Sequence, residues 1–190
     1  MAACPPDPPV IGFAAFSGTG KTTLLVKLLQ IFTARGLKVG IVKHAHHSFE
    51  IDYPGKDSYE LRKAGARQVL IGSRKRWALM SEMPEPPAAA LEFYLRHLDR
   101  NGLDMILVEG FKPEAIPKIE LYRPALGHPP LFTNDHSIIA IATDEVAAVD
   151  TPLPVLDLNQ PGRIAQFIID AYLPHMQTPV SIAQEPEQAE

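Results

Sequence analysis

Short apolar runs alternate along this chain with stretches whose apolar positions recur every three or four residues. Val10-Ile-Gly-Phe-Ala-Ala15 is too short for a helix and suits a buried strand. A helix opening at Gly18 to Lys21 follows, with Leu24, Leu25, Leu28, Leu29 and Phe32 on one side and a stop at Arg35-Gly36. Lys38–Lys43 reads as a second strand. A strand–helix–strand order predicts that the two strands are parallel and buried.

The pattern continues in the same alternation. His44–Lys56 is a polar loop, and Asp57–Ala64 a short helix capped by Asp57 or Ser58 and stopped by Gly65. Gln68–Gly72 and Trp77–Met80 flank Ser73-Arg-Lys-Arg76 and predict a hairpin. A proline break at Pro84, Pro86 and Pro87 precedes an amphipathic helix over Ala88–Arg100, ended by Asn101-Gly102. Leu103–Glu109, Lys118–Tyr122, Ile138–Ala142 and Pro154–Leu158 read as strands, and Arg163–Tyr172 as a closing helix. Strands alternating with helices predict an α/β fold: a mostly parallel sheet with helices on both faces, plus the hairpin extension.

Composition sharpens the outline. At roughly 150 residues per domain, 190 residues make about one domain. That domain is expected over 10–173, behind a proline-rich flexible leader (1–9) and before a Gln/Glu/Pro-rich tail (174–190) expected to be disordered. No run of 18 apolar residues offers a membrane span, and the start has neither basic residues nor an apolar segment of a secretory signal, so a cytoplasmic protein is expected. One cysteine, Cys4, excludes an internal disulfide and a multi-cysteine metal site. A net charge of −4 argues against sequence-independent nucleic-acid binding. Charge is nonetheless uneven: Leu61–Ser81 carries Arg62, Lys63, Arg67, Arg74, Lys75 and Arg76 and no acid, either a solvated face or an anion or partner site.

The strongest chemical signal is Ala15-Phe-Ser17-Gly18-Thr19-Gly20-Lys21-Thr22-Thr23, set between a strand and a helix. Glycines let several N–H groups face one anion, and the helix N-terminus adds partial positive charge. Lys21 can reach β- and γ-phosphates, and the Thr22 hydroxyl is placed to ligate Mg²⁺, with Thr23 beside it. The usual pattern begins with glycine where this chain has Ala15, which a negative φ would accommodate. Glu109, an acid ending an apolar strand before Gly110, looks like the magnesium-side carboxylate of such a site. The loop after the second strand starts beside the phosphate loop and holds Lys43, His44, His46, His47, Asp52 and Lys56. Asp52 suits a magnesium-side or water-positioning acid. The histidines suit hydrogen bonding near an anion better than zinc, since no cysteine is near. Asp144, at the end of the Ile138 strand, stands where many GTPases place an acid that accepts both guanine N–H groups, although the usual N-K-x-D box is replaced by Ala142-Thr-Asp-Glu145.

The blocks FSGTGKTTL, KHAHH, DYPGKDSYELRKAGA, RWALM and ILVEGFK, in this order, closely resemble the molybdopterin-guanine dinucleotide biosynthesis adaptor (MobB) family. The resemblance covers Ile11 to Leu158, and the GKDSYELRKAGA and VEGFK blocks are far more specific than the phosphate loop. It implies a GTP-binding protein with Mg²⁺, weak GTPase activity at most, and a homodimeric state. It also implies two partners: the guanylyltransferase that joins GMP to molybdopterin, and molybdopterin itself. The residues it transfers are Gly18, Gly20, Lys21, Thr22, Thr23, Glu109 and Asp52.

Two other readings fit the phosphate loop. A small-molecule kinase or ATP-dependent ligase would share everything up to Thr23, but the flanking strands of the Arg74–Arg76 turn look fixed in a sheet rather than mobile as a lid. A non-hydrolysing binding module would use the Arg/Lys/His cluster for the pterin phosphate. No arginine finger or catalytic glutamine is evident, which predicts slow turnover.

Overall fold

A computed structural model describes residues 7–45, 49–83 and 91–173. The chain falls into two compact units, one of residues 1–42 with 99–190 and one of residues 43–98. The single domain expected over 10–173 therefore contains, in sequence, an inserted unit. The leader up to residue 6, the tail from 174, Cys4, His46, His47 and the proline break lie outside the described residues.

The larger unit is built on a six-stranded sheet in the order β2-β5-β1-β6-β7-β8. Its strands are β1 (Val10–Ala14), β2 (Val39–Lys43), β5 (Met105–Glu109), β6 (Lys118–Tyr122), β7 (Ile138–Thr143) and β8 (Val155–Asp157). β1 runs parallel to both β5 and β6, β6 to β7, and β7 to β8. The mostly parallel sheet expected from the alternation is thus present. Because side chains alternate across a strand, Ile11, Phe13, Met105, Leu107, Ile119, Leu121, Ala140 and Ala142 share one face. There they form one buried cluster with Leu24, Leu25, Leu28 and Phe32 of α1 (Lys21–Ala34) and Ile164, Ala165, Ile168 and Ile169 of α4 (Pro161–Tyr172).

α1 ends where the sequence predicted. The Leu37 N–H bonds back to the Phe32 carbonyl and that of Gly36 to Thr33, which closes the last turn and returns Leu37 to the core. α4 begins two residues earlier than expected because Pro161, with φ already helical, serves as its first residue.

The opposite face of β6 is polar. Lys118 and Glu120 are almost fully buried, and each is satisfied by loop backbone. Lys118 Nζ donates to the carbonyls of Lys112 and Glu114, both at 2.7 Å, and pairs with Asp135 at 2.8 Å. Glu120 accepts N–H bonds from Leu131 (2.7 Å) and Phe132 (2.8 Å). The two residues anchor the loops that follow β5 and β6. The stem of Lys118 runs beside Gly12, where an added Cβ would stand 2.5 Å from its Cγ and 3.0 Å from Ile116 Cδ1.

The 43–98 unit contains α2 (Asp57–Lys63), a hairpin of β3 (Gln68–Gly72) and β4 (Trp77–Ser81), and α3 (Leu91–Leu95). α2 starts after Lys56 with no side-chain cap, so Asp57 is its first residue rather than its cap. Its acids Asp57 and Glu60 still lie at the helix N-terminus and Arg62 and Lys63 at its end, the order the helix dipole favours. The helix predicted over Ala88–Arg100 is described only from Leu91. It closes at Leu95 in successive three-residue turns, with the His97 ring held on the Phe93 carbonyl.

Gly12→Ala is expected to destabilise the protein by about 1–3 kcal/mol, the usual scale for overpacking, because Lys118 is tied at three points and has no room to swing aside. Urea unfolding midpoints of the two proteins check this.

Candidate functional site

Between β1 and α1 the chain passes from extended to helical backbone through two residues with positive φ, Gly18 (79°) and Gly20 (98°). Any side chain there would be strained. Ala15 is buried, and no non-glycine among the described residues has a positive φ, so alanine in place of the first pattern glycine carries no backbone strain. The loop is closed from within: Thr19 Oγ1 donates to the Phe16 carbonyl at 2.8 Å, and Lys21 Nζ to the carbonyls of Ala15 and Phe16, both at 3.1 Å. Ser17, Gly18, Thr22 and Thr23 face solvent, while Thr19 is buried. α1 has no side-chain cap at Gly20, and a helix N-terminus of this kind presents its N–H groups to an anion.

The direction of strand addition reverses at β1, and the phosphate loop follows its carboxyl end, where open parallel sheets bind ligands. Glu109 is the register partner of Phe13 and therefore lies on the α1 face of the sheet, half-exposed at the carboxyl end of β5. Phe16 of the loop stacks on His128 at 4.3 Å between ring centres, and Lys112 Nζ lies 4.5 Å from the Phe16 ring centre. Both contacts come from the loops that Lys118 and Glu120 anchor.

Asp144 follows β7 and pairs with Arg123, which follows β6. Arg123 Nε also donates to the Thr19 carbonyl at 3.0 Å. The acid expected at the base thus carries a cation that the sequence reading did not single out. Its sequence signal is its position, immediately beyond a strand next to the phosphate-loop strand. The buried Lys118 and Glu120 also went unremarked, although alternate charges in the otherwise apolar Lys-Ile-Glu-Leu-Tyr strand mark them.

Asp52, expected as a magnesium-side or water-positioning acid, is engaged by another side chain. It lies in the 43–98 unit, buried, with Oδ1 accepting from Arg62 Nη2 at 2.8 Å. Glu50 and Glu82 engage the same guanidinium. The Arg62 pairing neutralises Asp52 and makes it a clamp between its loop and α2, while Oδ2 has no hydrogen-bond partner. Among the described residues no three His, Cys, Asp or Glu side chains gather as a metal cluster, and no helix is long and apolar enough to cross a membrane.

Residues 10–144 match the family described as molybdopterin guanine dinucleotide synthesis protein B, MobB. The chain belongs to this family. It is 48% identical over 163 residues to the molybdopterin-guanine dinucleotide biosynthesis adapter protein of Escherichia coli K12, covering 85% of this chain and 92% of the relative. The protein of the same name from Haemophilus influenzae Rd is 42% identical over 160 residues, covering 84% and 87%. Solved structures share the fold. A crystal structure of molybdopterin-guanine biosynthesis protein B superposes with a TM-score of 0.66 at 23% identity, covering 85% of this chain and 99% of that one. Bacillus subtilis MobB gives 0.65 at 24% identity, covering 86% and 98%. The MobB match spans the phosphate loop, Glu109, Arg123 and Asp144, so the whole cluster lies within the shared region.

Burial pushes the Glu120 carboxyl up, against the lowering effect of the Leu131 and Phe132 N–H donors. Burial acts the same way on Asp135, but Lys118 and the hydroxyl and N–H of Ser137 outweigh it and hold that carboxyl below the usual aspartate range. A carboxyl held low in the folded state binds fewer protons there than in the unfolded chain. Its stabilisation is therefore complete at neutral pH and is lost as pH falls below about 4 through the lower folded value. Asp135→Asn is expected to lower stability at pH 7 and to flatten its decline as pH falls below about 4. Urea midpoints across that range provide the measurement, and a parallel decline in both proteins would show that the Lys118 pairing contributes nothing.

Proposed function

We propose that this MobB-family chain is a GTP-binding adapter that assists the attachment of GMP to molybdopterin in molybdopterin-guanine dinucleotide biosynthesis, with the guanylyltransferase and molybdopterin as its partners. The observation that carries the reading is the glycine-turned loop opening α1, within a chain 48% identical to a relative named as an adapter in that synthesis. Ser17, Gly18, Thr19, Gly20, Lys21, Thr22 and Thr23 surround the triphosphate. Lys21 exchanges its two loop carbonyls for β- and γ-phosphate oxygens, a charge-assisted gain.

The oxygen donors at this end of the sheet suit magnesium. Mg²⁺ is commonly held by one or two protein oxygens, completed by phosphate and water, rather than by an all-protein cage. Thr22 and Glu109 fit that set. Asp52, in the 43–98 unit, is engaged by Arg62. Magnesium, when bound, offsets charge on the β- and γ-phosphates. Lys21 shares that work during in-line attack by water, and turnover is expected to be slow because the sequence shows no evident arginine finger or catalytic glutamine.

The homodimer belongs to the same proposal. Leu70 and Leu79 are cross-strand partners in the β3–β4 hairpin, and Trp77 lies on their face; all three are exposed, with Leu70 at 67% and Trp77 at 66%. A two-stranded sheet with an apolar face is marginal alone, and a second copy would cover it.

Calorimetric titration with Mg²⁺ is expected to show at least a tenfold preference for GTP over ATP, about 1.4 kcal/mol. Equal binding or an ATP preference would overturn the guanine reading and favour a kinase or ligase. Lys21→Ala is expected to abolish binding of either nucleotide. Leu70→Lys is expected to give a monomer by light scattering, and an unaltered dimer would remove the hairpin from the interface.

A further inference from the structure

Arg123 makes contacts that the GTP-adapter reading does not use. Its Nε donates to the Thr19 carbonyl, its Nη1 pairs with Asp144 Oδ2, and its Nη2 lies 3.9 Å from where a Cβ on Gly20 would stand. A phosphate-binding loop turns its N–H groups inward, so a donor to a loop carbonyl sits outside the cradle. Arg123 is thereby tied to the backbone of the loop. The same planar fork holds Asp144, and a guanidinium is suited to engage two acceptors in fixed relative geometry.

Asp144 is left incomplete by this arrangement. Its Oδ1 is out of solvent and has no hydrogen-bond partner, although the side chain as a whole is 24% exposed. A buried carboxylate oxygen without a donor is rare in folded proteins. An ionised carboxylate has about four acceptor positions, and Arg123 engages one oxygen of the pair. The unfilled capacity lies at the carboxyl ends of the strands, one side chain away from the phosphate loop.

We infer that Arg123 is a positioning residue for nucleobase selection: by bridging the Thr19 carbonyl and Asp144 it sets the acid at the height of a base whose phosphates lie in the loop. This inference rests on the GTP-binding reading above. The base edge that completes Asp144 carries two neighbouring N–H donors, as guanine does with its ring N–H and 2-amino group. Adenine presents a ring acceptor at the equivalent place and is repelled by the carboxylate. Loop conformation and base choice are then one coupled element, because the same guanidinium fixes both.

The test is calorimetry with Mg²⁺ and three ligands, GTP, inosine triphosphate (which lacks the 2-amino group) and inorganic tripolyphosphate, on the wild type, Arg123→Ala, Arg123→Lys, Asp144→Ala and the double alanine variant. The wild type is expected to prefer GTP over inosine triphosphate at least tenfold. Arg123→Ala is expected to weaken GTP tenfold or more and to bring the GTP-to-inosine ratio to within threefold of unity. Arg123→Lys keeps the charge without the fork, so it is expected to recover tripolyphosphate binding but not the ratio, and it serves if the alanine variant does not fold. Adding Asp144→Ala to Arg123→Ala should change GTP binding less than threefold.

Uniform weakening of all three ligands with the ratio intact would overturn the inference and leave the GTP reading standing, because Arg123 would then be loop support alone. A wild type that does not distinguish GTP from inosine triphosphate would overturn the inference, since the 2-amino group would then not be read, whereas the GTP reading itself falls only if GTP is not preferred over ATP.

Discussion

Between Ala15 and Lys21 the backbone must leave a buried parallel strand, turn its N–H groups toward one point and enter a helix without a side-chain cap. Gly18 and Gly20 make that possible with positive φ, and Thr19 and Lys21 stabilise the turn by donating to carbonyls of the same loop. The neighbouring features are arranged around this turn. β1 lies between β5 and β6, so the loop emerges flanked by the strand ending in Glu109 and the strand leading to Arg123. The apolar face of the sheet holds α1 in place, and α4 packs into the same cluster.

The opposite face explains why a central strand of a parallel sheet contains a lysine and a glutamate. Such strands are ordinarily apolar on both sides, and an unpaired buried charge would be strongly destabilising. Lys118 and Glu120 are paired instead with loop backbone and Asp135, so their burial holds irregular segments against the sheet. Those segments carry Lys112 and His128 to Phe16 of the phosphate loop. Gly12 follows from the same packing, because the stem of Lys118 occupies the space where a side chain would be.

The 43–98 unit is organised by different means. Its described part has few fully buried residues, and its central polar contact is Arg62 with Glu50, Asp52 and Glu82. The Arg62 fork holds together the loop before α2, the helix itself and the end of β4, a role suited to guanidinium rather than ammonium. The hairpin turn is tight, with Ser73 Oγ accepting the N–H groups of Lys75 and Arg76, and Arg74, Lys75 and Arg76 are exposed at its tip. The basic stretch seen in the sequence is thus divided: Arg62 is consumed in structure while the tip residues face solvent.

The phosphate loop, the strands, α1 and the hairpin were readable from the chain because their signals are local: glycine spacing, apolar periodicity and turn residues a few positions apart. Glu109 was readable for the same reason, as an acid closing an apolar run. What each polar side chain does was decided elsewhere. Arg123 bonds a carbonyl 104 residues earlier in the chain, and nothing near it in sequence announces Thr19. The fold of its unit brings Arg62 onto Asp52, and the single charges at 118 and 120 gained meaning only when strand register turned them to the face opposite α1. Local backbone preference is encoded by neighbours along the chain. The partner that satisfies a buried charge is supplied by sheet order and loop closure, which no short stretch of sequence contains.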